Sequence, residues 1–298
     1  MLKIRGKKRV KIAKFALQIM TEGKLIRIDL RQVLASRLGG RMRYVPDFMI
    51  KRLEKLIHQD ELNELLEHNF PRRGAAFCDG VLADLGVGLD VRHAERLPES
   101  GRAIFVSNHP LGGLDGIAMI SWLTHRYEQE AKFVVNDLLM AIDPLTDCFL
   151  PVNKHGSQNR GSVRLLDETL AGTAPVVIYP AGLVSRRGAD GTVADLRWHK
   201  MFVNKAIEYR RDVVPVHFDG LNSRRFYRLA SLRRKSGIKF NYEMVLLPGE
   251  VFGCRGRRFT LTCGHPIPWE RLEGGANAEA TAEAVRRKVY ELATTTVQ

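Results

Sequence analysis

Cysteine is scarce in this chain. There are four in 298 residues, Cys78, Cys148, Cys254 and Cys263. So few, set so far apart, exclude a disulfide framework and read as reduced thiols of a cytoplasmic protein. Cys254, Cys263 and His265 match no zinc spacing and read as structural residues, so no metal is expected. No stretch approaches the roughly 20 apolar residues that span a bilayer. There is no collagen-like glycine period, no low-complexity tract and no internal repeat. A Gly-x-Ser-x-Gly elbow is missing, which argues against a serine hydrolase or thioesterase. RNA-recognition aromatics, zinc-finger spacing and a clear helix-turn-helix are missing too. Gly86-Val-Gly88 precedes its strand instead of following one, so it is no dinucleotide loop. Acidic residues are in deficit: Asp plus Glu is 33 against 47 for Lys plus Arg, a formal net charge of +14 with a pI near 9.9.

Hydrophobic residues make up 45% and charged residues 27%, enough for a packed core and too apolar for wholesale disorder. The length suits one large domain, or one with a smaller appendage. The basic excess favours a polyanionic partner: anionic lipid, nucleic acid or an acidic carrier protein. It is concentrated at the start of the chain, where the first acid is Glu22. No signal-peptide cleavage site follows. Read as a helix, this segment puts Lys7, Lys11 and Lys14 on one face and Ile12, Ala16, Ile19 and Met20 roughly opposite. A basic amphipathic helix of this kind lies in a membrane interface, or packs on the domain as a solvated end.

The spacing predicts helix from Pro46 to about Asn69, with a fresh cap at Asp60, and a short helix near Phe77–Leu85. Beyond residue 86 strands and helices alternate. Strands are expected at Gly88–His93, Ala103–Val106, Lys132–Val135, Phe149–Asn153, Pro175–Tyr179, Val213–Phe218 and Arg258–Cys263. Helices are expected at Leu114–Arg126, Ser162–Ala171, Trp198–Arg210, Ser223–Lys235 and Ala278–Ala293. This rhythm implies an α/β fold with a mostly parallel central sheet flanked by helices, residues 86–298, behind a helical N-terminal region, residues 1–85.

Ligands of open α/β sheets sit where strands end and loops begin, and two such places stand out. In Phe105-Val-Ser-Asn-His-Pro-Leu-Gly-Gly-Leu-Asp-Gly116 an apolar strand delivers His109 into a glycine-rich loop, and a helix starts near Asp115. Imidazole suits proton abstraction near neutrality. A carboxylate on its other ring N–H would fix the tautomer and stabilise the imidazolium as it forms. Asp115 is also placed to do no more than cap the helix. In Val176-Val-Ile-Tyr-Pro-Ala-Gly-Leu-Val-Ser-Arg-Arg187 a second strand ends in a turn at Gly182, followed by Ser185, Arg186 and Arg187. Exposed backbone with two guanidiniums makes a phosphate or carboxylate site, or merely a solvated arginine pair.

Together the two places resemble the lysophospholipid acyltransferase family, the glycerolipid acyltransferases that take fatty acyl groups from a thioester. That family's first block, Asn-His, four residues, Asp, stands here as Asn108-His109, five residues, Asp115. Its third block stands as Tyr179-Pro-Ala-Gly-Leu-Val-Ser-Arg186, with Ala181 where the family has a glutamate. Phe149-Leu-Pro-Val-Asn-Lys154 resembles the second block and Val213-Val-Pro-Val216 the fourth, all in the family's order over about residues 86–220. The variant loop, Pro180-Ala-Gly182 with Ser185-Arg186, and Gly220-Leu-Asn-Ser-Arg-Arg-Phe-Tyr-Arg-Leu-Ala230 look like the bacterial hemolysin-like subgroup. Members of that subgroup O-acylate lyso-aminolipids, N-acyl amino acids of ornithine or glycine carrying a 3-hydroxy fatty acid.

The resemblance implies an acyltransferase of membrane-lipid synthesis, with 1-acyl-glycerol-3-phosphate as the alternative acceptor. A nucleic-acid-binding protein is the alternative of another class. His109 would take the acceptor hydroxyl's proton and Asp115 would orient His109. Asn108, Gly112, Gly113, Asn153, Gly182, Ser185, Arg186 and Arg187 would bind substrate. Acyl carrier protein or coenzyme A would bring the acyl group, with no bound cofactor. Lys7, Lys11, Lys14, Arg224 and Arg228 would touch an anionic membrane, which places the protein peripherally on the cytoplasmic side of the inner membrane.

Overall fold

The computed structural model describes residues 27–136, 139–140, 142–152, 160–238 and 241–294. Lys7, Lys11, Lys14 and Asn153 lie outside the described residues. Among the described residues four α-helices come first: α1 Leu30–Leu38, α2 Asp47–Leu56, α3 Gln59–Asn69 and α4 Gly74–Leu85. The break between α2 and α3 falls earlier than the expected cap at Asp60. His58 takes a left-handed backbone, φ 54°, and Asp60 sits inside the first turn of α3, where a carboxylate favours the helix dipole.

Strands and helices then alternate: β1 Gly88–Arg92, β2 Ala103–Ser107, α5 Leu114–Tyr127, β3 Lys132–Asn136, β4 Phe149–Val152, α6 Arg160–Ala171 and β5 Val176–Ile178. A two-stranded ribbon, β6 Arg186–Arg187 and β7 Val193–Ala194, precedes α7 Met201–Tyr209, β8 Asp212–Phe218 and α8 Arg224–Lys235. A short helix, α9 Leu247–Phe252, leads to β9 Arg258–Cys263 and the final helix, α10 Ala278–Thr294. The sheet runs β1-β9-β8-β2-β5-β3-β4. Its neighbours are parallel except β8 against β9. The mostly parallel sheet with flanking helices agrees with the sequence. The strand β9 is expected, but its antiparallel pairing with β8, the ribbon and α9 do not show in the periodicity.

All five residues of β2 are buried, as a parallel strand covered on both faces requires. Side chains alternate across the sheet. Phe105, Val177 and Val214 point into one core with Phe77 and Val81 of α4 and Leu114 and Ala118 of α5. Ile104, Val106, Val176 and Val213 point into the other with Leu170 of α6, Phe202 of α7 and Ala282 and Val289 of α10. The helices therefore clamp β2, β5 and β8 rigidly at the sheet's centre, and the loops leaving those strands inherit that rigidity.

Candidate active site

Parallel pairing decides where the two singled-out segments meet. Val106 of β2 is in register with Ile178 of β5, so both strands end at the same edge. His109 and Tyr179 emerge side by side there, their rings stacked with centroids 4.1 Å apart at 24°. On the other flank, β2 pairs with β8. Asn108 fastens the loop to that strand: its Nδ2 donates to Phe218 O at 2.9 Å and its Oδ1 accepts from Phe218 N at 2.8 Å.

His109 Nδ1 lies 2.9 Å from Asp115 Oδ2. Asp115 is fully buried in the first turn of α5, while the imidazole remains 17% exposed. The carboxylate oxygen also accepts from Leu111 N at 3.1 Å and Gly112 N at 3.4 Å, and Oδ1 accepts from Gly116 N at 2.9 Å. An ionised carboxylate only accepts, so Nδ1 carries the hydrogen and the basic lone pair falls on Nε2. Burial alone would push the Asp115 carboxyl up. The charge and hydrogen bond of His109 and the N–H groups of Leu111 and Gly116 outweigh it, and the net shift is downward. The interval of five residues closes because Gly112 adopts φ 78°, a left-handed conformation that glycine takes without steric cost.

A second carboxylate holds the loop from beneath. Asp195 Oδ1 accepts from His109 N at 3.2 Å and from Ser185 Oγ at 2.5 Å, and Oδ2 accepts from Trp198 Nε1 at 3.0 Å. Ser185 N donates to His109 O at 2.8 Å. Asp195 N donates to Tyr290 Oη at 2.7 Å and Arg286 donates to Asp195 O at 2.9 Å, which ties the hub to α10. Burial raises the Asp195 carboxyl above its ordinary value, against the opposing hydrogen bonds from Ser185, His109 and Trp198.

A family model described as acyltransferase matches residues 32–296. The chain belongs to this acyltransferase family. It is 40% identical over 273 residues to the lyso-glycine lipid O-acyltransferase of Phocaeicola vulgatus, covering 92% of this chain and 98% of that protein. It is 39% identical over 273 residues to the lyso-glycine lipid O-acyltransferase of Bacteroides thetaiotaomicron, covering 92% and 100%. Among solved structures it is similar to the 1-acyl-sn-glycerophosphate (LPA) acyltransferase, PlsC, from Thermotoga maritima, with a TM-score of 0.42, 16% identity and coverage of 88% and 98%.

In this acyltransferase several residues expected to bind substrate have partners within the protein. The Asn108 amide is buried and taken up by Phe218, and the Ser185 hydroxyl is buried on Asp195. Arg186 is buried against Glu243, with Nη2 2.9 Å from Oε1. The same fully buried carboxylate lies 2.8 Å from Arg233 Nε. Gly112 N–H points at Asp115. These pairings share one cause: a polar group delivered into a dry loop must find a partner, and here the partner is protein. Gly113 stands at the N-cap of α5, and Gly182 makes a turn at φ 59°. Arg187 is exposed, its guanidinium 5.7 Å above the Tyr227 ring. In α8, Phe226, Tyr227 and Ala230 pack inward, while Arg224 and Arg228 face solvent.

Sequence reasoning missed Asp195, Asn222, Glu243 and the stacking role of Tyr179. The one available signal was Asp195 itself, a lone acid three residues before a tryptophan. A cavity of about 360 Å³ bordered by Gly101, Arg102 and Thr173 lies at the amino end of β2. That is a strand length, roughly 16 Å, from the end that bears His109. A cleft of about 460 Å³ between α2, α9 and the start of α8 includes Asn222, whose Nδ2 donates to Pro110 O at 3.0 Å.

Proposed function

We propose that this acyltransferase moves a fatty acyl group from a thioester to the hydroxyl of a lyso-aminolipid of the N-acylglycine type. The observation that carries the reading is the His109–Asp115 pair at 2.9 Å on the rigid edge of the sheet, in a chain 40% identical to a lyso-glycine lipid O-acyltransferase. His109 Nε2 removes the hydroxyl proton as the oxygen attacks the thioester carbonyl. A carbon–oxygen bond forms and the carbon–sulfur bond breaks. The imidazolium, stabilised by Asp115, returns its proton to the leaving thiolate. The hub at Asp195 keeps the loop in place, which supplies orientation without chemistry.

Acyl carrier protein or coenzyme A is the donor in this reading; both are anionic and suit a chain of net charge +14. Association is peripheral, at the cytoplasmic face of the inner membrane. Among the described residues no helix is long and apolar enough to cross a membrane. Tyr44, Phe48 and Met49 are 70%, 69% and 47% exposed beside Arg41, Arg43 and Arg52. Apolar side chains among cations suit an anionic lipid interface.

The test supplies the full-length protein with acyl carrier protein and coenzyme A thioesters and either an N-(3-hydroxyacyl)glycine or 1-acyl-glycerol-3-phosphate. Ester formation on the glycine acceptor, abolished in His109→Ala with an unchanged circular dichroism spectrum, is expected. Turnover of the glycerol phosphate alone rejects the aminolipid assignment, and near-normal turnover by His109→Ala rejects the mechanism.

A further inference from the structure

Three cationic side chains, Lys55 of α2, Arg225 of α8 and Arg257 before β9, line the 460 Å³ cleft. Among the described residues none of them pairs with a carboxylate. The only acid in the lining, Glu250, is already engaged: its two oxygens accept from Ser223 N and Ser223 Oγ, each at 2.6 Å. The cleft also opens on the first turn of α8, whose helix dipole favours negative charge and whose Phe226 N–H is capped by Ser223 Oγ. An anion placed here meets three positive charges against one carboxylate, whose lone pairs Ser223 already engages.

Asn222 adds a second and independent demand. It is 7% exposed and lines the cleft. Its Nδ2 holds Pro110 O, but its buried Oδ1 accepts no hydrogen bond among the described residues. A buried acceptor left unpaired carries an uncompensated desolvation penalty, and a ligand N–H or O–H removes it. The cleft thus asks for an anion and a hydrogen-bond donor in one small molecule. An N-acylglycine head group carries both, one methylene apart: a carboxylate and an amide N–H. Pro110 follows His109 directly, so a head group resting on Asn222 leaves its 3-hydroxyl, a few bonds further along the chain, on the catalytic loop.

We infer that this cleft is the acceptor's head-group site, with Lys55, Arg225 and Arg257 taking the carboxylate and Asn222 Oδ1 the amide N–H. The inference rests on the aminolipid reading above. The rival occupant with similar chemistry is the donor's phosphopantetheine, which also joins a phosphate to amide groups.

Steady-state kinetics on the full chain separate them. Arg225→Ala and Arg257→Ala lie on the surface and retain the fold, as circular dichroism will show. Each is expected to raise the acceptor KM about tenfold, the worth of one charged hydrogen bond, with the donor KM unchanged. An acceptor ending in glycinamide, without the negative charge, should show the raised KM on the unaltered protein and no further rise in either variant. An N-methylglycine acceptor, without the amide hydrogen, should bind several-fold more weakly even to the unaltered protein. A rise confined to the donor KM assigns the cleft to the phosphate and overturns the inference, as does no change in either KM. Should the unaltered protein fail to acylate the glycine acceptor, the functional reading fails first. Calorimetric titration with N-octanoylglycine then judges the cleft separately: affinity lost in the Arg225→Ala, Arg257→Ala double variant supports it, and equal or absent binding overturns it.

Discussion

Asp115 answers to four hydrogen bonds at once, one from His109 and three from backbone N–H groups. Replacing its carboxylate with an amide removes the charge that stabilises the imidazolium and lets the ring turn to the wrong tautomer. Asp115→Asn is expected to lower kcat by roughly 10²–10⁴-fold with KM for both substrates within about threefold, read from initial rates. A rise in acceptor KM with kcat intact would make Asp115 a binding group instead. Tyr179 poses the opposite case. Its ring supports His109 by stacking, yet its hydroxyl is buried without a hydrogen-bond partner among the described residues. Burial, with the Asp115 and Asp195 charges, also pushes that phenol well above its ordinary pKa, so it is no acid or base near neutrality. Tyr179→Phe keeps the stack and deletes the orphan. It should gain about 1 kcal/mol or more in urea unfolding and keep its activity; a large loss of kcat would give the hydroxyl a role in the reaction.

The loop joining β2 to α5 shows how little slack the site has. At Gly112 an added Cβ would come within 2.4 Å of Val184 Cγ2, and the backbone there is left-handed. Gly112→Ala therefore strains the loop by about 1–2 kcal/mol before any clash is counted. It should cost activity well beyond its effect on the thermal midpoint, because the loop carries His109 and connects it to Asp115 in the first turn of α5. Gly116, four residues on and inside α5, meets nothing within 4 Å. Gly116→Ala is expected to be neutral or to stabilise by up to about 1 kcal/mol through helix propensity. Equal activity loss in the two variants would refute the claim that loop geometry at Gly112, and not glycine as such, is what matters. The elements around this loop were legible from period and punctuation. Strands of four to seven apolar residues and helices with an apolar stripe carry their own signal. The six-residue helix α9 and the two-residue ribbon strands do not, covering less than two helical turns and a single strand period respectively.

Stability across the molecule bears on the conditions in which the site can be assayed. His217, in β8, is buried and edge-on to Tyr290 of α10 at 5.9 Å. Burial lowers its pKa below the ordinary 6.5, only partly offset by Asp219. On acidification the unfolded chain therefore takes up this proton first. Its contribution to stability is complete above pH 6.5 and falls as pH drops from there toward the folded-state value, below which it no longer changes. Urea unfolding between pH 7.5 and 5 should show this slope in the unaltered protein and a shallower one in His217→Gln; identical slopes would remove His217 from the acid response. The net charge of +14 also belongs to the molecule as a whole. From composition alone it favours a polyanionic partner, without distinguishing lipid, carrier or nucleic acid.

Local order along the chain was enough to place His109 and Asp115 between a strand and a helix, to identify the layered α/β architecture and to carry the family resemblance, because strand and helix periods and a six-residue loop are short-range properties. Which polar atoms remain available for a ligand is not short-range. Asn108 is taken up by Phe218, 110 residues away, Arg186 by Glu243, 57 residues away, and Asn222 reaches Pro110 across 112 residues. A buried polar group pairs with whatever the packed chain brings within about 3 Å, and no periodicity along the sequence encodes that neighbour.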